Sequence, residues 1–514
     1  MVAINLFHEP SFSEKLGRIG SSTQLSALLA AMLTFAVRFY SDGHSEVSQA
    51  DKNQRAAQFL DIAQRCIDEA LKECGDSTPP LCILQASIIA THCQLSQGVL
   101  GRAWRSLGTC VRLAYEMNLH LVDVRGPRSD DTVDADQWCD DEEKRRAWWA
   151  VWEMDVFATT IRRTPTAVDW SQIETLLPVE DEYWFQRKPR ASCFLERDPM
   201  SRWEALENSG NYSPKAWFIV INSLMKDARR ISSPRGVPSL SSPDDRQTLP
   251  PHEMDEARQI LETIANAVHC FRLSLPSHLK YHGQYLGFDA RVPRQYTSLR
   301  QTHCSIYNIY MMTQLARLMI YRYDVFKGHY RVALSTHDSS VPSTPSRDRA
   351  PSQVNKGSME SLAIQQYFEA ADDMLAIVNR CSDDHIRYIN PFLSNTIWLA
   401  SAVHLLRSQF CRPGTNKAVV KSRFKVMHLT YKKCVRFWDI HPAVQQNLES
   451  LEEQLEACQR PDGNSQRKST NRQRPTASGE PGADHRRDDT PRSPNPHPNT
   501  PHDAAVGLGK KYKY

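Results

Sequence analysis

Several signatures that would assign a function at once are missing from these 514 residues. There is no Gly-rich phosphate loop, no Gly-x-Ser-x-Gly elbow and no His-Glu-x-x-His box. Nucleotide binding, serine-hydrolase chemistry and zinc-peptidase chemistry are left without their usual residues. A dominant charge is missing too: 63 Lys+Arg stand against 59 Asp+Glu, a net +4. So small a net charge on a long chain creates no strong field, and composition implies no nucleic-acid partner. Residues 1–10 have no basic segment followed by an apolar core, so no signal peptide is expected. The most apolar run, 25–40, carries Ser26, Thr34 and Arg38 and falls short of the ~20 apolar residues of a membrane span. The thirteen cysteines are odd in number and never closer than eight positions, which excludes a disulfide framework. The expectation is an intracellular, soluble protein whose cysteines are small buried residues or inert thiols.

Glycine is scarce as well, twenty against thirty prolines. The prolines are local. They gather in two Pro/Ser-rich loops, 232–251 and about 339–357, and in a tail from about 460 to 514. The tail has hardly a large apolar residue, cannot offset its ordering entropy, and is expected to be disordered. Residues 461–514 hold ten Lys/Arg and six Asp/Glu, so the whole net charge lies there and residues 1–460 are formally neutral.

What is present is helical periodicity. Residues 25–40 are almost wholly apolar, as in a buried helix. Residues 54–73 place Ala57, Leu60, Ala63, Ile67 and Leu71 at steps of three and four. Pro79-Pro80 opens a helix over 81–95, and 102–119 carries Ala103, Leu107, Val111, Ala114 and Met117 on one face. Further helices are predicted over 142–161, 217–231, 254–273, 303–323, 362–381, 392–410 and 418–438. Sustained strand alternation is nowhere found, nor is a 34- or 40-residue repeat. The fold class is all-α: an array of about ten to fourteen helices over 1–459, then the tail over 460–514.

Residues 81–184 are the informative segment. Trp148, Trp149 and Trp152 surround one helix with indole, and each ring can bury ~150–250 Å². Asp155 on that helix, if buried, needs a cationic or amide partner, which Arg145, Arg146, Arg105 or Arg112 could supply. Thr164-Pro165 ends the helix, because the residue before proline is pushed out of the α region. The place of Arg145-Arg146 at the start of a tryptophan-rich helix favours a core ion pair over a phosphate clamp.

These residues resemble the regulatory, or middle-homology, domain of fungal zinc-cluster transcription factors. That family typically shows a helix ending in Leu-Gly-Leu-His, matched here by Met117-Asn118-Leu119-His120. An Arg-Arg-x-x-Trp-Trp type box follows, matched by Arg145-Arg146-Ala147-Trp148-Trp149. An Asp and a Gly-Arg-Pro-like turn complete the pattern, here Asp155 and Arg162-Arg163-Thr164-Pro165. The resemblance is clear over 81–184 and weaker from 20 to 440. Two departures stand out: Val156 where the family commonly has Arg, and an arginine in place of the turn glycine. The family's DNA reader, six cysteines holding two zinc ions, is not matched. Cys66, Cys74, Cys82 and Cys93 contain no Cys-x2-Cys pair, and the first two lie on a helix pattern. The expectation is the regulatory part without its reader, with no metal, no cofactor, no catalytic residue and no DNA-binding residue in this chain.

Two other patterns compete. Asp130, Asp131 and Asp134 form the Asp-Asp-x-x-Asp of helical terpene cyclases, which hold magnesium and diphosphate. They lie in an acidic stretch with no second metal motif, so a solvated loop is the favoured reading. His92, His269, His303 and His404 sit singly on helices and read as core residues. Val444, Leu448, Leu451, Leu455 and Cys458 make an a/d seam of about two heptads, too short for a coiled coil, and read as the last helix packing on its own body, with a dimer contact as the minority reading.

The resemblance implies a non-catalytic transcription regulator of a metabolic or secondary-metabolite pathway, acting in the nucleus. Its partners would be the transcription machinery or a DNA-binding protein, with a homo- or heterodimer and a small-molecule effector in a helical cavity both conceivable. No membrane contact and no sequence-specific DNA binding by this chain alone are expected. The alternatives are a diphosphate-metal enzyme and a heterodimerising co-regulator.

Overall fold

A computed structural model describes residues 4–40, 47–124, 134–232, 251–290, 298–335, 353–409 and 416–459. The periodicity is realised as fifteen helices among them. These are α1 (Phe12–Gly17), α2 (Ser22–Phe39), α3 (Gln49–Cys74), α4 (Leu81–Gln97), α5 (Gly101–Glu116), α6 (Ala135–Arg162), α7 (Asp181–Phe185) and α8 (Pro199–Asn208). Then come α9 (Pro214–Ser232), α10 (Pro251–Ser274), α11 (Leu299–Ser335), α12 (Gln353–Val378), α13 (Ser394–Gln409), α14 (Lys417–Trp438) and α15 (Ala443–Gln459). No strand occurs among the described residues, where Leu286 and Cys381 form an isolated parallel bridge. The all-α expectation holds. The count exceeds it because α1 and α7, at six and five residues, are too short to show a period in sequence.

Capping chemistry moves several ends. The Asp134 side chain accepts from the Asp136 amide, so α6 starts seven residues before the expected 142 and takes up half of the acidic linker. Ser21, Ser48, Asp198 and Asn416 cap α2, α3, α8 and α14 in the same way. Helix α12 begins at Gln353, inside the stretch expected to be loop. Ser232 and Pro251, expected in the first loop, are the last residue of α9 and the first of α10; otherwise the two Pro/Ser-rich loops and the tail from 460 lie outside the described residues.

At the centre is α4, with every residue from 83 to 96 buried. It packs against α2, α3, α5 and α6, while α11 lies against α9 and α12, and α13 against α14. One apolar cluster runs through these helices, from Leu6 to Ile440. Helix α2 corrects an expectation: its 18 residues are long and apolar enough to cross a membrane by length and composition. Here it packs on α3 and α4 and buries Ala27, Leu28, Ala31 and Arg38, whose guanidinium donates to the Thr34 carbonyl. Leu448 of α15 is fully buried with Ala402, Leu405 and Phe424, and Leu451 and Leu455 pack on the same cluster. The last helix therefore seals its own body, while the side chains of Val444 and Cys458 lie outside the described residues.

Candidate functional site

The site is built outward from α6. Trp148, Trp149 and Trp152 are all fully buried, as their number on one helix predicts. Trp148 faces the ring of Tyr115 at 5.5 Å and of His120 at 5.9 Å, so the box packs on the turn after α5. Trp152 meets Trp149 at 5.5 Å and Trp170 at 5.1 Å. The two stretches that carry the family resemblance are thus one packed unit.

The arginines beside the box face inward. Arg145 donates to both oxygens of Asp123, at 2.8 and 2.6 Å, and to Glu142 at 3.3 Å. Arg146 donates to Glu142 at 2.9 Å, to Asp181 at 2.7 Å and to the Val179 carbonyl at 2.7 Å. Its guanidinium lies 4.0 Å from the Trp184 ring centroid. Burial works against the charge of Arg145, but Asp123 outweighs it and holds the pKa above the ordinary arginine value. The expected core ion pair is what the structure shows.

The same carboxylates hold the extended segment 173–180 against α6. Asp123 accepts from the Leu176 amide at 2.9 Å and Glu142 from the Val179 amide at 3.0 Å. Trp149 donates from its indole nitrogen to the Leu176 carbonyl at 2.8 Å.

Ten residues further along α6, Asp155 has a different setting. None of the four expected arginines pairs with it: its Oδ2 accepts from the Val168 amide at 3.0 Å and its Oδ1, fully buried, has no partner among the described residues. Burial pushes its carboxyl up to about 6 despite the backbone amides of Val168 and Ala167 and the charge of Lys226. Lys226, which donates to Thr159 at 2.7 Å, is pushed down to about 8 by burial in turn. Both glycine positions of the resemblance adopt left-handed backbone without glycine: Asn118 at φ 54° and Arg163 at φ 59°. Asn118 ends α5 and Arg163 ends α6.

Segment 173–180 leads directly into a cavity of about 710 Å³. Its walls come from α6, α7, the start of α9, and α11, with Asn390 at one side. Glu153 of α6 forms a floor that is almost wholly buried: its Oε1 accepts from Asn390 Nδ2 at 2.7 Å and its Oε2 pairs with Lys215. Asn308 Oδ1 accepts from the Asn390 amide at 3.3 Å. Phe185 and Phe218 supply buried apolar surface. At the rim, Glu180 accepts from the Tyr212 amide at 3.0 Å through Oε1, while its buried Oε2 has no partner among the described residues.

With this geometry in hand, comparison with known proteins is decisive for the family. The fungal specific transcription factor domain matches residues 2–261, just over half of the chain. The chain belongs to that family. The fungal transcription factor domain match spans the tryptophan box, segment 173–180 and most of the cavity wall. Among curated relatives, the transcription factor tazR of Aspergillus terreus is 29% identical over 23% of this chain and 18% of its own length. The tropolone cluster transcription factor tropK of Talaromyces stipitatus is 25% identical over 36% of this chain and 32% of its own. The C6 finger domain transcription factor hasF of Aspergillus fumigatus is 32% identical over 26% and 17%. The chain thus matches less than a third of the length of each. No solved structure matches it.

The other sequence-derived candidates find their places in and beyond the matched residues. Asp134 is exposed and caps α6, away from the cavity, while Asp130 and Asp131 lie outside the described residues. The diphosphate reading is not favoured. Cys66 and Cys74 are on α3, and Cys82 and Cys93 on α4. Of the histidines, His92 is buried in a stack with Phe392 at 4.3 Å, and burial pushes it down to about 3. His404 is buried against the Ala371 carbonyl at 3.2 Å, whereas His303 is only half-buried and accepts from the Phe288 amide. His269 departs furthest from the expectation and is exposed on α10. Sequence reasoning missed the cavity residues. The available signal was Glu153, a carboxylate directly after Trp152 on a helix buried nearly all round.

Proposed function

We propose that this chain is the non-catalytic regulatory domain of a nuclear transcription regulator controlling a metabolic gene cluster, with the helical unit ending at 459 and the tail starting at 460. The observation that carries the reading is the family match over the tryptophan box, together with the use of Arg145 and Arg146 as buried ion pairs. In that role the domain works through contacts with the transcription machinery or a DNA-binding protein, and through a small-molecule effector seated in the cavity along α6. Sequence-specific DNA reading is not its task. Residues 1–460 are formally neutral, and the basic pair beside aromatics points inward rather than at phosphates. The tail's ten cations, interleaved with six acids, give at most a weak, sequence-blind attraction that fades with salt.

Two measurements test this. Fusion of the whole chain to a heterologous DNA-binding module in a fungal host should change reporter output; an inert fusion overturns the regulatory role. Titration of the purified chain with random and promoter duplexes at physiological salt should show no discrimination. Discrimination beyond about tenfold would show that the chain reads DNA itself.

A further inference from the structure

We propose that the outer face of α2, with the adjoining edge of α3, is the contact through which two copies of this chain pair.

Helix α2 carries no charged residue from Ser22 to Val37. Its inner side, with Ala27, Leu28, Ala31, Thr34 and Phe35, is buried on the body. The opposite side of a surface helix is ordinarily polar, and here it is not. Leu29, Leu33 and Ala36 recur at steps of four and three and lead to Tyr40, all exposed, with Leu25 and Met32 half-buried beside them. Leu29, Leu33 and Tyr40 keep 39%, 41% and 50% of their surface in solvent. Helix α3 widens this stripe. The Ser21 hydroxyl donates to Glu73 at 2.8 Å, so the start of α2 lies beside the end of α3 and the two run antiparallel. That register puts Ile62, itself 37% exposed, level with Leu33, and the half-buried Cys66 level with Leu29.

Area decides what such a face can hold. The 18 residues of α2 span ~27 Å, and a second helix packed alongside brings the width to ~20 Å. A face of about 500 Å² stands at the upper end of the ~300–600 Å² of the largest apolar patch on an ordinary monomer, where such patches often serve binding. Two copies together would bury about 1,000 Å², enough for a specific pair but below the ~1,200–2,000 Å² of tight complexes. The pair is therefore reversible, with a dissociation constant on the order of 10 µM.

Charge selects the occupant. A second copy presents the same length of uncharged apolar surface, and a two-fold axis through it brings no like charges together. A different protein would be selected by complementary charges or buried polar groups, which the stripe does not offer. The chain's own remaining stretches fit no better. Those outside the described residues are short or rich in Pro, Ser and charge, and none repeats large apolar residues at helical steps over the length of α2. The exposed flank on α3 mixes signs, with Arg55 and Arg65 against Asp61 and Glu69. Mixed signs suit a polar rim that pairs across the axis, whereas an anionic membrane surface would favour one sign.

The test is sedimentation velocity on the full chain, which should pass from one to two chain masses between about 1 and 100 µM. Leu33 stands near the middle of the stripe, where the axis must pass, and so faces its own copy. Leu33→Glu should weaken pairing at least about tenfold by setting two carboxylates against each other, and Leu33→Lys should do the same. Mixing the two variants should restore a pair that neither forms alone, which a folding defect in either could not produce. Should Leu33→Glu or Leu33→Lys melt early, Ala36→Glu and Ala36→Lys, at an exposed and smaller side chain, take their place. Leu273→Glu, on α10 at a side chain 64% exposed, should leave the affinity unchanged. A wild-type chain that stays single at about 100 µM overturns the proposal. So does a dimer that the α2 variants do not weaken, that Leu273→Glu weakens equally, or that the mixture of well-folded variants fails to restore. Flotation with phosphatidylcholine vesicles is run alongside: a single chain carried up with the vesicles, and released by Leu33→Glu, gives the face to a membrane instead.

Discussion

The two ends of α6 bury charge in opposite ways. Around Glu142, Arg145 and Arg146, each charged group is met by another or by a backbone amide, and the arginines are held in their charged form, although burial still pushes the Glu142 carboxyl above its ordinary value. About 15 Å along the helix, Asp155 has backbone amides but no cation bound to it and one oxygen without a partner among the described residues, and both it and Lys226 are pushed toward neutrality. Burial alone therefore says little about what a charge does. Paired, it locks a segment in place; underpaired, it becomes a group that titrates close to physiological pH.

The largest expected effect comes from breaking the paired end. Glu142→Ala leaves two buried guanidinium groups and the Val179 amide short of a partner. It should cost about 3–5 kcal/mol in denaturant unfolding, enough to threaten folding outright. A loss under about 1 kcal/mol would mean that the ion cluster is no more than a surface-type pair.

The underpaired end should behave in the reverse sense. Asp155 has a folded pKa raised from 3.8 to about 6. Between those values the folded state binds more protons than the unfolded one, so the contribution of Asp155 to stability falls as pH rises from 4 to 6. Asp155→Asn should remove that penalty. Relative to wild type the variant should gain on the order of 2–3 kcal/mol between pH 4 and 7. His92 and His404, pushed down to about 3 and 4 by burial, act with the opposite sign: their contribution is present above 6.5 and is lost as pH falls. The effect of Asp155 is therefore read as the difference between two melting series rather than from wild type alone. A flat difference would place Asp155 with the paired group.

A smaller effect sharpens the comparison at the end of the same helix. Arg163 holds left-handed backbone that costs a non-glycine residue about 1–2 kcal/mol, partly offset by the extra chain entropy of glycine. Arg163→Gly should raise stability by about 0.5–1 kcal/mol, seen as a small rise in Tm with unchanged denaturant slope. A fall would show that the Arg163 side chain holds the turn.

The helices of this fold were legible because their cores repeat at three- and four-residue steps, and because proline marks where they start and stop. The tryptophan box and the inward turn of Arg145-Arg146 were legible for a related reason: three indoles on one helix leave no solvent face. The partners of those arginines were harder to read. Asp123 and Asp181 lie outside the helical period, and only the chain path brings them to α6. The pairing of Asp155 with Arg145 or Arg146 failed on distance, since about ten residues of helix separate them. The cavity could not be read at all. Glu153 and Asn390, which touch across it, are 237 positions apart and belong to no motif.

Segment 173–180 also has a consequence for hydrogen exchange. The amides of Leu176 and Val179 belong to no helix or strand, yet both donate to carboxylates that are themselves clamped by buried arginines. Releasing either proton to solvent requires the ion cluster to come apart, an opening close in free energy to unfolding of the region. These two irregular-segment amides should rank among the slowest to exchange with deuterium, slower than the first-turn amides of the neighbouring helices, and Glu142→Ala should bring both into the fast class together.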